Sequence, residues 1–165
     1  MLSLVFVLAV LGCAKPELSA IRVKAGSADE LASFRAELAQ LHPATALAAF
    51  DTALNELQLA GMDRGVASAA DRAAAMRETV DGKTVRAVEI LGWQARRTRL
   101  QAEIKDFTGM LERDLALKEK TAATGTPPAV IHRIENEQDI LAKLRRLLAE
   151  AEEKLAGWNA TPATP

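Results

Sequence analysis

Few residues in this chain have the type and spacing that chemistry requires. Asp81-Gly82-Lys83-Thr84 contains the Gly-Lys-Thr of a phosphate-binding loop. That loop also needs a glycine five positions before Gly82 and a strand leading into it, whereas Arg77 stands there within a helical pattern. The tetrapeptide therefore predicts a helix–helix junction, with Gly82 as the left-handed stop of one helix and Thr84 as the cap of the next. His42 and His132 are the only histidines, and neither has a second His or a Cys at ligand spacing, so no metal and no cofactor is expected. No Ser, His and Asp set sits around a nucleophile elbow, and no His-Glu-x-x-His occurs. Asp29, Glu30, Asp63, Glu78 and Asp81 fall at helix ends, where capping and the helix dipole account for them. No catalytic residue is assigned, and the expectation is a protein that is not an enzyme.

The remaining reactive side chain is the single cysteine, Cys13, which has no intrachain partner for a disulfide. Met1 to Ala14 carries no charged side chain, and Leu2 to Leu11 is apolar apart from Ser3. Ten residues make about 15 Å of helix, half of a hydrocarbon core of about 30 Å, so the run predicts a removable signal peptide rather than a span. Its end, Val10-Leu11-Gly12-Cys13-Ala14, resembles the bacterial lipobox. The resemblance implies lipidation at Cys13: signal peptide 1–12, then a mature chain beginning at an acylated, palmitate-type cysteine. Two or more acyl chains anchor stably where one does not. Ala14, where Asp is absent, resembles the sorting pattern for the outer membrane facing the periplasm. Against the pattern, only the α-amino group of Met1 supplies positive charge ahead of the apolar run. The other readings are an ordinary signal peptide with a buried free Cys, and a cytosolic apolar helix.

Elements downstream follow from caps and periods. Residues 13–26 read as lipidated Cys and tether, because Lys15 to Gly26 holds Pro16 and Gly26 without a helical period; only Ala20 to Lys24 has any strand character. Ser27-Ala28-Asp29-Glu30 has capping-box form and predicts a helix over 28–41 with Leu31, Phe34 and Leu38 on one face. Pro43 suits the first turn of a second helix, with Leu47, Phe50, Leu54 and Leu57 on its stripe and a stop near Gly61. A third, Ala-rich helix is expected over 66–79. From Thr84 the pattern is helical to Thr121, turns at Gly125-Thr126-Pro127-Pro128, and resumes over 129–157. The tail 159–165 is expected to be disordered.

The last two helices carry the clearest pattern. Val130, Ile134, Glu137, Leu141, Leu144, Leu148, Ala151, Leu155 and Trp158 recur in fours and threes, the rhythm of a coiled-coil seam. Trp93, Arg97, Leu100, Ile104, Phe107, Leu111 and Leu115 form a second stripe. Folding at Gly125 sets Trp93 beside Trp158, and Arg96, Arg97 and Arg99 opposite Glu150, Glu152 and Glu153. That arginine cluster reads as an acid-neutralised helix face or as a phosphate or lipopolysaccharide contact. The seam alone does not offset the ordering of so many residues. Either the first three helices pack along it, or two hairpins pair as a four-helix bundle in a homodimer; the first is favoured, because the apolar stripes of those helices need cover.

The predicted class is all-α: a helical bundle over 27–158, with three short N-terminal helices and a long antiparallel C-terminal hairpin over 84–158. Twenty-one Lys and Arg against 22 Asp and Glu leave a net charge of −1, so nucleic acid is not an expected partner. Thirty-three alanines and 4% aromatics predict a thin helical core. Residues from Cys13 to Ala95 resemble a group of small, uncharacterised, all-helical bacterial lipoproteins. The resemblance rests on Cys13, the Ser27–Glu30 helix start, Phe50-Asp51-Thr52-Ala53-Leu54, and Asp81-Gly82-Lys83-Thr84 with Val88. Acids commonly follow the Thr in that group, where Val85, Arg86 and Ala87 stand here, and the long hairpin is extra. The group implies no activity. The expected function is a membrane-anchored interaction or scaffold module of the bacterial cell envelope. Its expected partners are the membrane, through the lipid, and an envelope protein meeting Arg96, Arg97, Arg99, Trp93 and Trp158. The alternative is a carrier holding a hydrophobic ligand between helices.

Overall fold

A computed structural model describes residues 17–63, 65 and 68–159. The signal segment 1–12, Cys13 and the tail beyond Asn159 lie outside the described residues. The described residues form five α-helices: α1 (Ala28–Leu41), α2 (Ala44–Asp63), α3 (Ala69–Val80), α4 (Val85–Thr121) and α5 (Pro128–Asn159), preceded by a 3-10 turn at Leu18–Ala20. Among the described residues there is no strand, only an isolated antiparallel bridge between Arg22 and Thr84. None of the described helices is long and apolar enough to cross a membrane.

Caps set the helix starts. Ser27 accepts from the Glu30 N–H at 3.1 Å and Thr84 from the Ala87 N–H at 3.2 Å, as their spacing predicts. α3 starts at Ala69 rather than Val66, because Ser68 Oγ accepts from the Asp71 N–H and donates to its carboxylate, at 2.9 and 2.7 Å. α2 ends at Asp63, near Gly61 as expected, but Gly61 is not the residue that stops it. It lies inside the helix, where a Cβ would meet the Arg72 side chain of α3 at 3.0 Å, and the left-handed position falls instead on Gly65 (φ 77°). Gly82 (φ 70°) takes the left-handed position between α3 and α4 as expected.

The reading of residues 13–26 as a tether fails at its C-terminal end. Val23 and Ala25 are buried, and the segment is bonded across the α3–α4 junction. Val23 N–H donates to Lys83 O (2.8 Å), Gly82 N–H to Val23 O (2.9 Å), and Val85 N–H to Ile21 O (2.8 Å). Ala25 N–H donates to the Asp81 carboxylate at 2.7 Å, and the Arg22 guanidinium to Gly82 O at 2.8 Å. A junction between two helix ends leaves carbonyl and N–H groups without helical partners, and this extended strap satisfies them. Helical periodicity carries no trace of it.

The main core gathers Leu31, Phe34 and Leu38 from α1, Phe50, Ala53 and Leu54 from α2, Met76 and Val80 from α3, and Val85, Val88 and Trp93 from α4, with Ala151 and Leu155 of α5 beneath. Phe34 and Phe50 meet edge to face at 6.3 Å. Every buried residue of α4 lies at or before Leu100. Beyond Leu100, α4 still meets α5, where Arg133 bonds Asp114 at 2.7 Å. There α5 buries Val130, Ile134, Glu137, Leu141 and Leu144, but Ile104, Phe107 and Leu111 are only half-buried and Leu115 is exposed.

Candidate functional site

The side chains singled out in the sequence meet where α2, α4 and α5 converge. The approach of α2 to α4 depends on a small residue from each. A Cβ on Gly92 would overlap the backbone and side chain of Ala53, so only glycine lets the helices lie this close. One turn beyond that contact, α2 presents Glu56 to α4. Glu56 is 3% exposed, and its carboxylate accepts from Arg99 Nε and Nη2 at 3.0 and 2.7 Å, a fork with two parallel bonds, and from Arg96 Nη1 at 3.5 Å. Arg99 Nη1 also donates to Glu103 at 2.6 Å. The hydrogen bonds to Glu56 hold the Arg99 guanidinium above its already high ordinary pKa, so it stays charged at every working pH.

Trp93 and Trp158 meet as the seam register predicts, edge to face at 6.0 Å and 75°. Cations surround them. The Arg96 guanidinium lies 5.0 Å from the Trp93 ring centroid, Lys154 Nζ 5.8 Å from the same ring, and the Arg86 guanidinium 5.7 Å from that of Trp158. Glu89 is buried beside them, with Arg86 at 3.9 Å. Burial raises its pKa above the usual carboxylate range, and the charges of Arg86 and Lys154 pull it part of the way back.

Two expectations about the arginines need correction. Arg96 and Arg99 are neutralised by Glu56 of α2 and Glu103 of α4, not by Glu150, Glu152 and Glu153, which are exposed. Arg97 belongs neither to the seam nor to the cluster; it is exposed. The third helix at the seam is the physical cause, because it brings a buried carboxylate closer than α5 brings its exposed ones. Two-helix register arithmetic has no place for it. The legible signal is local: Glu56 stands within the apolar stripe of α2, three residues after Ala53.

Other candidates stay bland. His42 is extended (φ −128°) before Pro43 and closes α1 with its N–H on Leu38 O, and His132 is exposed with Glu135 at 3.5 Å. Asp81 to Thr84 is a helix junction. No group of three metal-ligating side chains occurs among the described residues. Comparison with known proteins finds no matching family model, no matching curated protein and no matching solved structure.

Proposed function

We propose that this chain is a lipoprotein of the bacterial cell envelope, held by acyl chains on Cys13, whose helical domain works as a non-enzymatic interaction module. In this reading α4 and α5 form a long antiparallel hairpin, α1 to α3 pack along its base, and the outer part of the hairpin receives an envelope protein. One observation carries the interaction reading: Met110, Leu115, Leu117 and Ile131, all on the outer part of α4 and α5, are between 38 and 42% exposed, whereas the exposed large apolar residues of α1 and α2, Leu41 and Met62, stand singly at the ends of their helices. Scattered exposed apolar residues are ordinary, but four gathered on one arm are a surface suited to a partner. The Arg–Trp cluster serves as the hinge post of the arm rather than as its contact face, since Trp93 is 4% exposed and Arg96 and Arg99 are already paired.

The anchor and the contact face are tested separately. Mass spectrometry of the N-terminal peptide from membranes is expected to find an acylated Cys13, and Cys13→Ser to release the chain from carbonate-washed envelopes. An unlipidated peptide beginning at Met1, or a serine variant that still sediments, overturns the anchor. A photo-reactive residue at 117 is expected to give one discrete adduct in cells, lost when Leu115 and Ile131 become serine. Loss of nothing on those substitutions overturns the contact face.

A further inference from the structure

Between α1, α2 and α3, away from the Arg–Trp cluster, lies a cavity of about 320 Å³. Its apolar part is formed by Leu31, Leu54 and Met76, widened by alanines of α1 and α3 whose side chains leave the space unfilled. The charged groups lining it are Arg35, Asp51 and Arg77. Arg35 and Asp51 neutralise one another, with Arg35 Nε donating at 2.9 Å and Nη2 lying at 2.6 Å. Arg77 is different. It is half-buried, and no carboxylate among the described residues bonds its guanidinium. The lining thus holds two guanidiniums against one carboxylate, an excess of one positive charge beside an apolar floor.

We propose that this cavity binds a single-chain amphiphile with one oxyanion head, the head on Arg77 and the chain over Leu31, Leu54 and Met76. The chemistry follows from the parts. A guanidinium presents a planar fork that matches a carboxylate or phosphate, and a half-buried one binds it with less competition from water. The volume sits at the small end of ligand sites, which run from about 300 to about 1,000 Å³, so it suits one short chain. A cationic or neutral head would leave Arg77 unsatisfied or repelled. This site is independent of the anchor at Cys13 and of the contact face on α4 and α5.

The test uses the full chain in phosphatidylcholine nanodiscs, with empty nanodiscs as blank. Its methionines are labelled with 13C in the ε-methyl group, so that Met76 reports the cavity and Met62 and Met110 report the rest of the fold. Sodium octanoate or octyl phosphate is expected to move the Met76 resonance saturably and to leave Met62 and Met110 in place; which of the two does so identifies the head as carboxylate or phosphate. Octylamine, with the same chain, is expected to do nothing. Arg77→Gln is expected to weaken binding about tenfold, as loss of one charge-assisted pair requires, and Ala73→Leu to abolish it by filling the space. The proposal is overturned if neither anion moves Met76, if octylamine moves it equally, or if both variants bind like the parent.

Discussion

The two halves of α4 share one continuous helix and differ in everything that surrounds it. Before Leu100 the helix is enclosed by the strap of residues 21–25, by α2 and by α5, and it buries Val85, Val88, Glu89, Gly92, Trp93 and Leu100. After Leu100 none of its residues is buried. Intrinsic propensity is similar in both halves, so helix formation does not distinguish them; enclosure does. What the contrast teaches is that the first half is an element of a core and the second half is a surface built of the same material. Gly92 and Gly109 state it in miniature. A Cβ at 92 would collide with Ala53, while at 109 the nearest atom is an Arg113 side-chain nitrogen at 3.7 Å.

Substitutions in the enclosed core and on the outer arm should therefore separate sharply. Phe50→Ala, which empties the 1% exposed centre of the core, is expected to cost about 4 kcal/mol in chemical denaturation, while Leu115→Ala on the outer arm changes stability by less than about 0.5 kcal/mol. Equal costs would erase the distinction. Gly92→Ala is expected to destabilise by about 3 kcal/mol, because backbone rather than a flexible side chain must move, whereas Gly109→Ala stabilises by about 0.5 to 1 kcal/mol. Opposite signs from one substitution in one helix are the sharpest form of the comparison, read as shifts in thermal midpoint. Glu56→Gln comes next, at about 2 kcal/mol, since it leaves Arg96 and Arg99 short of their anion but still reached by water at 17 and 27% side-chain exposure. Asp114→Asn, which breaks the pair with Arg133 on the outer arm, should cost less, as Arg133 is 53% exposed.

The smallest effect concerns pH. Burial raises the folded-state pKa of Glu89 above its unfolded value, so the folded chain holds more protons than the unfolded chain between the two values. Stability consequently falls as pH rises through that window and is lower at pH 7 than it would be with a neutral side chain. Glu89→Gln is expected to flatten the fall, measured as midpoint against pH from the ordinary carboxylate range upward. A slope unchanged by the substitution would assign the pH dependence elsewhere.

Much of this organisation is legible in the residues. Ser27, Thr84 and Gly82 announce helix ends through capping and left-handed geometry, and the Trp93–Trp158 contact follows from a/d spacing across one turn. The signals that mislead are those in which one residue type has two uses. Gly61 has the composition of a stop but serves a close approach of α3, and Arg97 has the spacing of a seam position but faces solvent. Strap residues 21–25 leave only the brief strand-like alternation over Ala20 to Lys24, because their order comes from satisfying the ends of two helices far along the chain. Glu56 is missed for a related reason: its partners lie more than a helix away in sequence, and pairing two helices by register leaves no role for a third.

Hydrogen–deuterium exchange of the full chain, resolved by peptide, tests the division of α4 most directly. Amides from Val88 to Leu100 are expected to exchange at rates set by global unfolding, together with Val23 and Val85, which are bonded across the strap. Those from Met110 to Thr121 are expected to exchange far faster, through local opening of a stretch in which α4 buries no residue. Uniform protection along all of α4 would contradict the account, and so would faster exchange before Leu100 than after it.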